Sequence, residues 1–365
     1  MSGSSNTPPG VPPQSPHWPA PAGGNAASPR ESRGVAFFVA ILLGILLLAS
    51  AGLNVLLLLL SVGSLASGAI GVDDGGIYDE VHIEGERDVT SKVLQVAVRG
   101  AIAEGANPVL GAGGGSVTQV QRALRRAAAD DIEGVLLFVD SPGGGVTDSE
   151  RIHAMLKRFR AEHPEKPMMA LFGDMAASGG YYVAVAAEHI VAGRTTITGS
   201  IGVIMSAWNF AEAAKKFGVE QVAIKSERTP FKDILSPTRQ MTDAERAMLT
   251  GIVDELYDRF VEVVDEGRPG LDREAVVRAA SGAIYTARQA RELGLIDDVG
   301  SYDTALQWFQ GRLGHPVRIV EHRRRVGLLD MLAGAAAPSP GATGVESLLL
   351  QSTGPRFLYF WQGGR

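Results

Sequence analysis

The sequence predicts an α/β protein with a mostly parallel sheet and flanking helices, preceded by one transmembrane helix. Three observations carry this. Short apolar runs at Val93–Val98, Gly134–Val139 and Met168–Phe172 alternate with helical stretches at 116–129, 146–160 and 181–187. Such alternation is the mark of βαβ units, whose strands run parallel. Two glycine-rich turns, at 143–145 and 179–180, fall at the carboxyl ends of predicted strands, where sites on such sheets lie. Finally, Val35–Val62 carries no charge over 28 residues.

The elements follow in order. Residues 1–34 are rich in Pro, Gly, Ser and Asn and predict a disordered cytoplasmic tail. At a rise of about 1.5 Å per residue, 35–62 can cross a hydrocarbon core of about 30 Å. It is apolar all round, unlike a core helix with one apolar stripe. Small residues at Ala49-Ser-Ala51 and Ser64-Leu-Ala66 suit a cleaved signal peptide. The apolar run is about twice the length that such a peptide needs, so an uncleaved anchor is the better reading. Arg30 and Arg33 precede it and Asp73, Asp74 and Asp79 follow, which predicts a cytoplasmic N-terminus and an extracytoplasmic remainder.

After a linker at 63–79, the globular domain spans 80–322. Gly111–Ser116 is a glycine loop with only a loose likeness to a dinucleotide fingerprint. Ser116 with Gln119, Thr242 with Glu245 and Thr286 with Gln289 predict capping boxes. The second of these opens a helix to about Glu266. Its Leu249, Ile252, Val253, Leu256, Phe260, Val263 and Val264 recur at helical spacing and mark core. Gln221–Ile224 reads as a strand, Gly294 ends a short helix, Tyr302–Leu313 is a helix and Val317–Val320 a final strand. Residues 323–365 form a low-complexity extension with a basic cluster, Arg323–Arg325, and an apolar end, Phe357–Trp361. The cluster reads as a solvated face, with membrane contact or partner docking as weaker alternatives.

Composition narrows the function. A net charge of −6 and a pI near 5.7 speak against nucleic-acid binding. Without cysteine, neither a disulfide framework nor a thiol nucleophile can form. The seven histidines are scattered and make no HExxH, so no metal and no cofactor is expected.

Met175-Ala-Ala-Ser178-Gly-Gly180 is the most informative stretch. It places a lone serine among tiny residues between a strand and a helix. Small neighbours admit a substrate backbone, and free N–H groups at the helix start suit an oxyanion. Ser178 is the candidate nucleophile and the Gly179 N–H a candidate donor. Gly143–Gly145 offers the other donor; alone, SPGGG reads as a plain turn, but a second glycine-flanked strand end shifts the balance. Serine needs a base. His189 should lie at the opposite end of the sheet, and His153 has no evident aspartate partner. Lys232, between Phe231 and Ile234-Leu235, is the candidate base, because apolar surroundings lower an amine's pKa. A pair with adjacent Asp233 is the competing reading. Ser200, in Thr198-Gly-Ser-Ile-Gly-Val203, either orients the amine or is a plain turn serine.

VDSPGGG (139–145), DMAASGGYYVA (174–184), TGSIGVI (198–204), FKDILSP (231–237) and IYTARQARELGLIDDVGSYDTAL (284–306) together resemble the signal peptide peptidase A family. The resemblance covers about 85–322. It implies a Clp protease/crotonase-like fold and a Ser/Lys dyad that carries over to Ser178 and Lys232. Ser200 matches its third serine, and Gly144 and Gly179 its oxyanion donors. One copy of the domain behind an anchor resembles the short form. That form implies a homo-oligomeric ring in which the lysine completes a neighbour's site. The expected activity is cleavage of remnant signal peptides, or other membrane-associated peptides, outside the cytoplasmic membrane. A crotonase-like acyl-CoA enzyme and a non-catalytic membrane scaffold are the alternatives.

Overall fold

The structure, a computed structural model, describes residues 33–69, 78–104, 115–324 and 357–360. The expected tail at 1–32, most of the linker, the glycines at 111–114 and the stretch 325–356 lie outside the described residues. The chain divides into two units, Met1–Asp73 and Asp74–Arg365.

The first unit contains α1 (Arg33–Ala69), longer at both ends than the predicted span. Within it Phe37–Val55 is long and apolar enough to cross a membrane, and its side chains are exposed. A helix that is apolar on every face suits a membrane span rather than the edge of a protein core.

The second unit runs β1 (Tyr78–Glu84), β2 (Lys92–Arg99), α2 (Ser116–Ala127), β3 (Ile132–Ser141), β4 (Gly143–Gly145), α3 (Val146–Glu162), β5 (Met168–Ala177), α4 (Gly179–Ala184), β6 (His189–Ala192), β7 (Ile197–Gly199) and β8 (Ile204–Met205). It continues through α5 (Ala211–Lys216), α6 (Asp243–Gly267), α7 (Arg273–Ala279), β9 (Ile284–Thr286), α8 (Ala287–Glu292), β10 (Asp298–Val299), α9 (Tyr302–Leu313), β11 (Arg318–Arg324) and β12 (Phe357–Phe360).

Nine strands form the main sheet, in the order β1-β11-β2-β3-β5-β6-β10, with β7 on the far half of β5 and β9 on β7. From β11 to β10 every pairing is parallel; β1 joins antiparallel at one edge. Side chains along a strand alternate between faces. Leu94, Val96, Leu137, Val139, Ala170 and Phe172 enter one core, shared with α2, α3, α4 and α6. Val93, Leu136, Met169, Leu171 and Val191 enter the other, closed by Ala305 and Phe309 of α9. Covering both faces is why β3 and β5 read as unbroken apolar runs. Phe309 is fully buried and lies against Gly134, where a Cβ would come within 3.0 Å of its ring. Truncating such a side chain costs about 3–5 kcal/mol.

Local signals hold where they are self-contained. Thr242 and Thr286 form the expected capping boxes with Glu245 and Gln289. Ser116 does not cap α2. Gly115 is the N-cap, its carbonyl accepts the Gln119 N–H at 3.0 Å, and the Ser116 hydroxyl lies 3.4 Å from the Ala101 carbonyl. Gln221–Ile224 is not a strand: Val222 and Ile224 are exposed, and among the described residues no strand pairs with them. The apolar pattern is there, but among the described residues no sheet edge takes it up. The SPGGG turn contains a short strand, β4, and the apolar end of the extension forms β12.

Candidate active site

Tight packing behind Ser178 fixes its backbone. The residue links β5 to α4 at φ 54° and ψ −119°, a region that non-glycine residues rarely enter, and is 1% exposed. Its N–H donates to the Gly199 carbonyl at 2.8 Å, and its carbonyl accepts from the Tyr182 N–H at 2.9 Å. These bonds hold the strained turn in place. Among the described residues the Ser178 hydroxyl has no hydrogen-bond partner. Gly180 presses on the end of β3; a Cβ there would lie 2.8 Å from the Ser141 carbonyl oxygen.

The middle of β5 explains how Ser178 meets Ser200. Gly173 lies against Asp140, whose carboxylate accepts the Met175 N–H at 3.2 Å. Up to Phe172 the strand pairs with β6; from Met175 onward it pairs with β7. Thr196 and Thr198 hydroxyls tie β7 to the Gly173 and Ala176 carbonyls, each at 2.6 Å. The register sets Ala177 opposite Gly199, so Ser178 and Ser200 follow side by side. Ser200 is also left-handed, at φ 51°, largely buried, and its N–H donates to Ala283 at 2.7 Å.

On the other side, β4 lies on Ile102. The Ile102 N–H donates to Gly143 at 2.9 Å, and the Gly145 N–H donates to Ile102 at 2.8 Å. Gly144 cannot carry a side chain, since its Cβ would fall 2.0 Å from the Ile102 oxygen. In an extended segment alternate peptides face opposite edges. With Gly143 and Gly145 turned to Ile102, the Gly144 N–H faces the other edge. That edge is taken by β12, antiparallel, with Tyr359 opposite Gly144. The far edge of β12 pairs with β8. An extended segment therefore lies between β4 and β8 and also runs close to α4, which starts at Gly179. Beside β8 is a cleft of about 450 Å³ with a mixed lining: Met205, Trp208 and Leu249 are apolar, while Asn209, Arg239 and Arg246 are polar or charged.

Lys232 is exposed, and among the described residues its amine forms no hydrogen bond or ion pair. The competing pair with Asp233 is absent because that carboxylate is engaged elsewhere. Its Oδ2 accepts Arg239 Nε at 3.0 Å, and its Oδ1 accepts Lys225. Arg239 and Lys225 together hold the Asp233 pKa well below the carboxylate range. The histidines fall where the sequence suggests. His189 opens β6 and faces Asp298 at 3.3 Å. His153 is buried in α3 with its ring centroid 5.4 Å from that of Tyr182. Sequence reasoning missed Ile102, Arg239 and the pairing of β12. The aromatic-rich FLYF run carries a strand signal for β12, but nothing in it names the partner strands.

A model of peptidase family S49 matches residues 160–314, which include Ser178, Ser200 and Lys232. A Synechocystis protein named as a protease, slr0021, is 39% identical over 217 residues, covering 60% of this chain and 73% of its own. The chain belongs to peptidase family S49. The chain covers about half or less of the length of two further relatives. One from Enterococcus faecium, named as a signal peptide peptidase SppA, is 39% identical over 48% of this chain and 49% of its own. Protease 4 of Haemophilus influenzae is 32% identical over 60% of this chain and 34% of its own. Among solved structures, a membrane-bound stomatin-specific protease aligns at TM-score 0.41 and 15% identity, covering 63% of this chain and 98% of that one. The chain is a serine peptidase of the S49 family, with the expected mostly parallel α/β fold.

Proposed function

We propose that the chain is a membrane-anchored endopeptidase with a Ser178/Lys232 dyad, which binds extended peptides between β4 and β8. The observations that support this reading are a strained, buried serine at the head of α4, and the packing of α4 on β4, whose other edge is paired with an extended segment. A substrate would add as a strand where residues 357–360 lie, its main chain held by β4 and β8 and its side chains reaching the cleft beside β8.

In the first step the neutral Lys232 amine takes the Ser178 proton while Oγ bonds to the scissile carbonyl carbon. The oxyanion is held by the N–H groups of Gly144 and Gly179. Collapse breaks the C–N bond, and the Lys232 ammonium returns its proton to the leaving amine. Water, deprotonated by the same amine, then hydrolyses the ester and frees Ser178. Ser200 orients the amine through its hydroxyl.

An exposed lysine stays protonated at neutral pH, so Lys232 must be desolvated to act as base. The single chain does not do this. Lys232 sits on an arm whose Trp208, Phe217, Val222 and Ile224 are all more than 70% exposed. Exposed apolar surface of this kind marks a covered face. We read the cover as a second copy in a homo-oligomeric ring, so that the lysine serves a neighbour's serine. Phe37–Val55 anchors the chain with its N-terminus in the cytoplasm and the peptidase outside. Remnant signal peptides and other membrane-associated peptides are the substrate class that suits the anchor and the named relative from Enterococcus faecium.

Ser178→Ala should lower cleavage of an internally quenched apolar peptide by at least about 10⁴-fold while the chain remains folded. A fluorophosphonate should label Ser178 in the wild type. Full turnover in Ser178→Ala, or labelling of another serine alone, would refute the assignment. A crotonase-like enzyme has no use for a strained serine and would not be labelled.

A further inference from the structure

The arm that carries Lys232 is fastened by a chain of charges that the proposed chemistry does not itself use. Lys225 donates to the Pro230 carbonyl at 2.7 Å and to Asp233 Oδ1. Arg239 Nε donates to Asp233 Oδ2 at 3.0 Å, and its Nη2 donates to the Asp233 carbonyl at 3.1 Å. The far side of the guanidinium forks onto Glu245, with Nη1 at 2.8 Å from Oε2 and Nη2 on Oε1. Glu245 is the capping-box residue of α6, where it also accepts the Thr242 N–H at 2.9 Å. Arg239 thus links the arm to the start of a 25-residue helix.

We propose that Arg239 is a positioning residue for the peptidase site: by bridging Asp233 to Glu245 it occupies the carboxylate adjacent to Lys232 and leaves that amine without an anionic partner. This rests on the reading of Lys232 as the base. The physical point is one of sign. A carboxylate beside an amine stabilises the ammonium, and a base must be neutral. Both Asp233 oxygens are taken, one by Arg239 and one by Lys225, and the guanidinium offsets the carboxylate charge. The other charged groups near Lys232 along the arm are Glu227 and Arg228. The helix packed against the arm contributes Glu245, which Arg239 neutralises, and Arg246. Arginine suits this place because its planar fork engages two carboxylates in fixed geometry; lysine cannot.

The test is the pH dependence of kcat/KM on an internally quenched apolar peptide, measured on the full chain in detergent. Arg239→Gln frees one Asp233 oxygen. Its acid limb should move to higher pH by ~0.5–1 unit. Asp233→Asn in the same background should return the limb to its wild-type position. A structural defect at Arg239 would not be repaired by that second change. If Arg239→Gln does not fold, Arg239→Lys should shift the limb in the same direction. An unmoved limb in the folded variant, or a displaced limb in the double variant, overturns the inference. Lys232→Ala keeps the two readings apart. If it retains the wild-type acid limb, the base assignment fails. If it is inactive while Arg239→Gln keeps a wild-type limb, only the role of Arg239 fails.

Discussion

At Ser178 the backbone sits at φ 54° and ψ −119°, where a Cβ is costly and glycine is at ease. Left-handed or otherwise sparse conformations cost about 1–3 kcal/mol for ordinary residues. The turn persists because its N–H and carbonyl are both bonded and because Gly180 lets it press on β3. Ser178→Gly should therefore stabilise the fold by about 1 kcal/mol relative to Ser178→Ala, although both lack the hydroxyl and, on the proposed mechanism, neither should cleave peptide. Chemical unfolding of the two variants side by side measures the difference, and equal midpoints would mean that the turn stores no strain.

One layer behind this turn, α3, α4 and α6 meet at a polar cluster. Tyr182 of α4 donates to Glu150 of α3, which also accepts Arg259 of α6 at 3.2 Å. His153 lies beside them against the Tyr182 ring. Burial pushes the His153 pKa down to about 4; Glu150 opposes this, and Lys157 and Arg259 add to it. The sign follows. In the unfolded chain the ring protonates near 6.5, in the folded chain only near 4, so protons favour unfolding between these values. The contribution of a neutral His153 is full above about pH 6.5 and is lost as pH falls towards 4. By pH 5 the loss amounts to about 2 kcal/mol. His153→Gln should lower stability at pH 7 yet lose about 2 kcal/mol less than wild type between pH 7 and pH 5. Identical losses in denaturant titrations at the two pH values would place the ring in a wetter setting. Elements of this kind show which parts of the fold can be read from sequence. The boxes at Thr242 and Thr286 and the helix Tyr302–Leu313 are local, written in residues three or four apart, and they stand as expected. The nearness of Ser178 and Ser200 depends on β5 changing partners at Gly173, a register that no spacing encodes. The failed strand at 221–224 and the unforeseen β12 have the same cause. An alternating or aromatic run states a propensity, and the sheet edge that satisfies it lies far away in the chain or outside it.

At the scale of the molecule, one chain holds a buried serine and an exposed lysine, and these two facts ask for different surroundings. Ser178 is 1% exposed behind a packed turn. Lys232 is exposed among apolar side chains that face solvent, and a desolvated amine needs a cover. A head-to-tail contact that closes into a ring would provide it, placing each arm over the next chain's serine. Such an arrangement makes a prediction that no intrachain dyad shares. Ser178→Ala and Lys232→Ala chains, each inactive alone, should regain cleavage when co-expressed with different tags and purified together through both. In a randomly mixed ring, a working site needs an intact serine from one neighbour and an intact lysine from the other, so roughly a quarter of the sites should be competent. Peptide turnover per chain relative to wild type, with the tandem purification proving that the chains share a ring, reads this fraction directly. Mixed rings that stay silent would return the lysine to its own chain, and the apolar arm would then need an occupant other than a second copy.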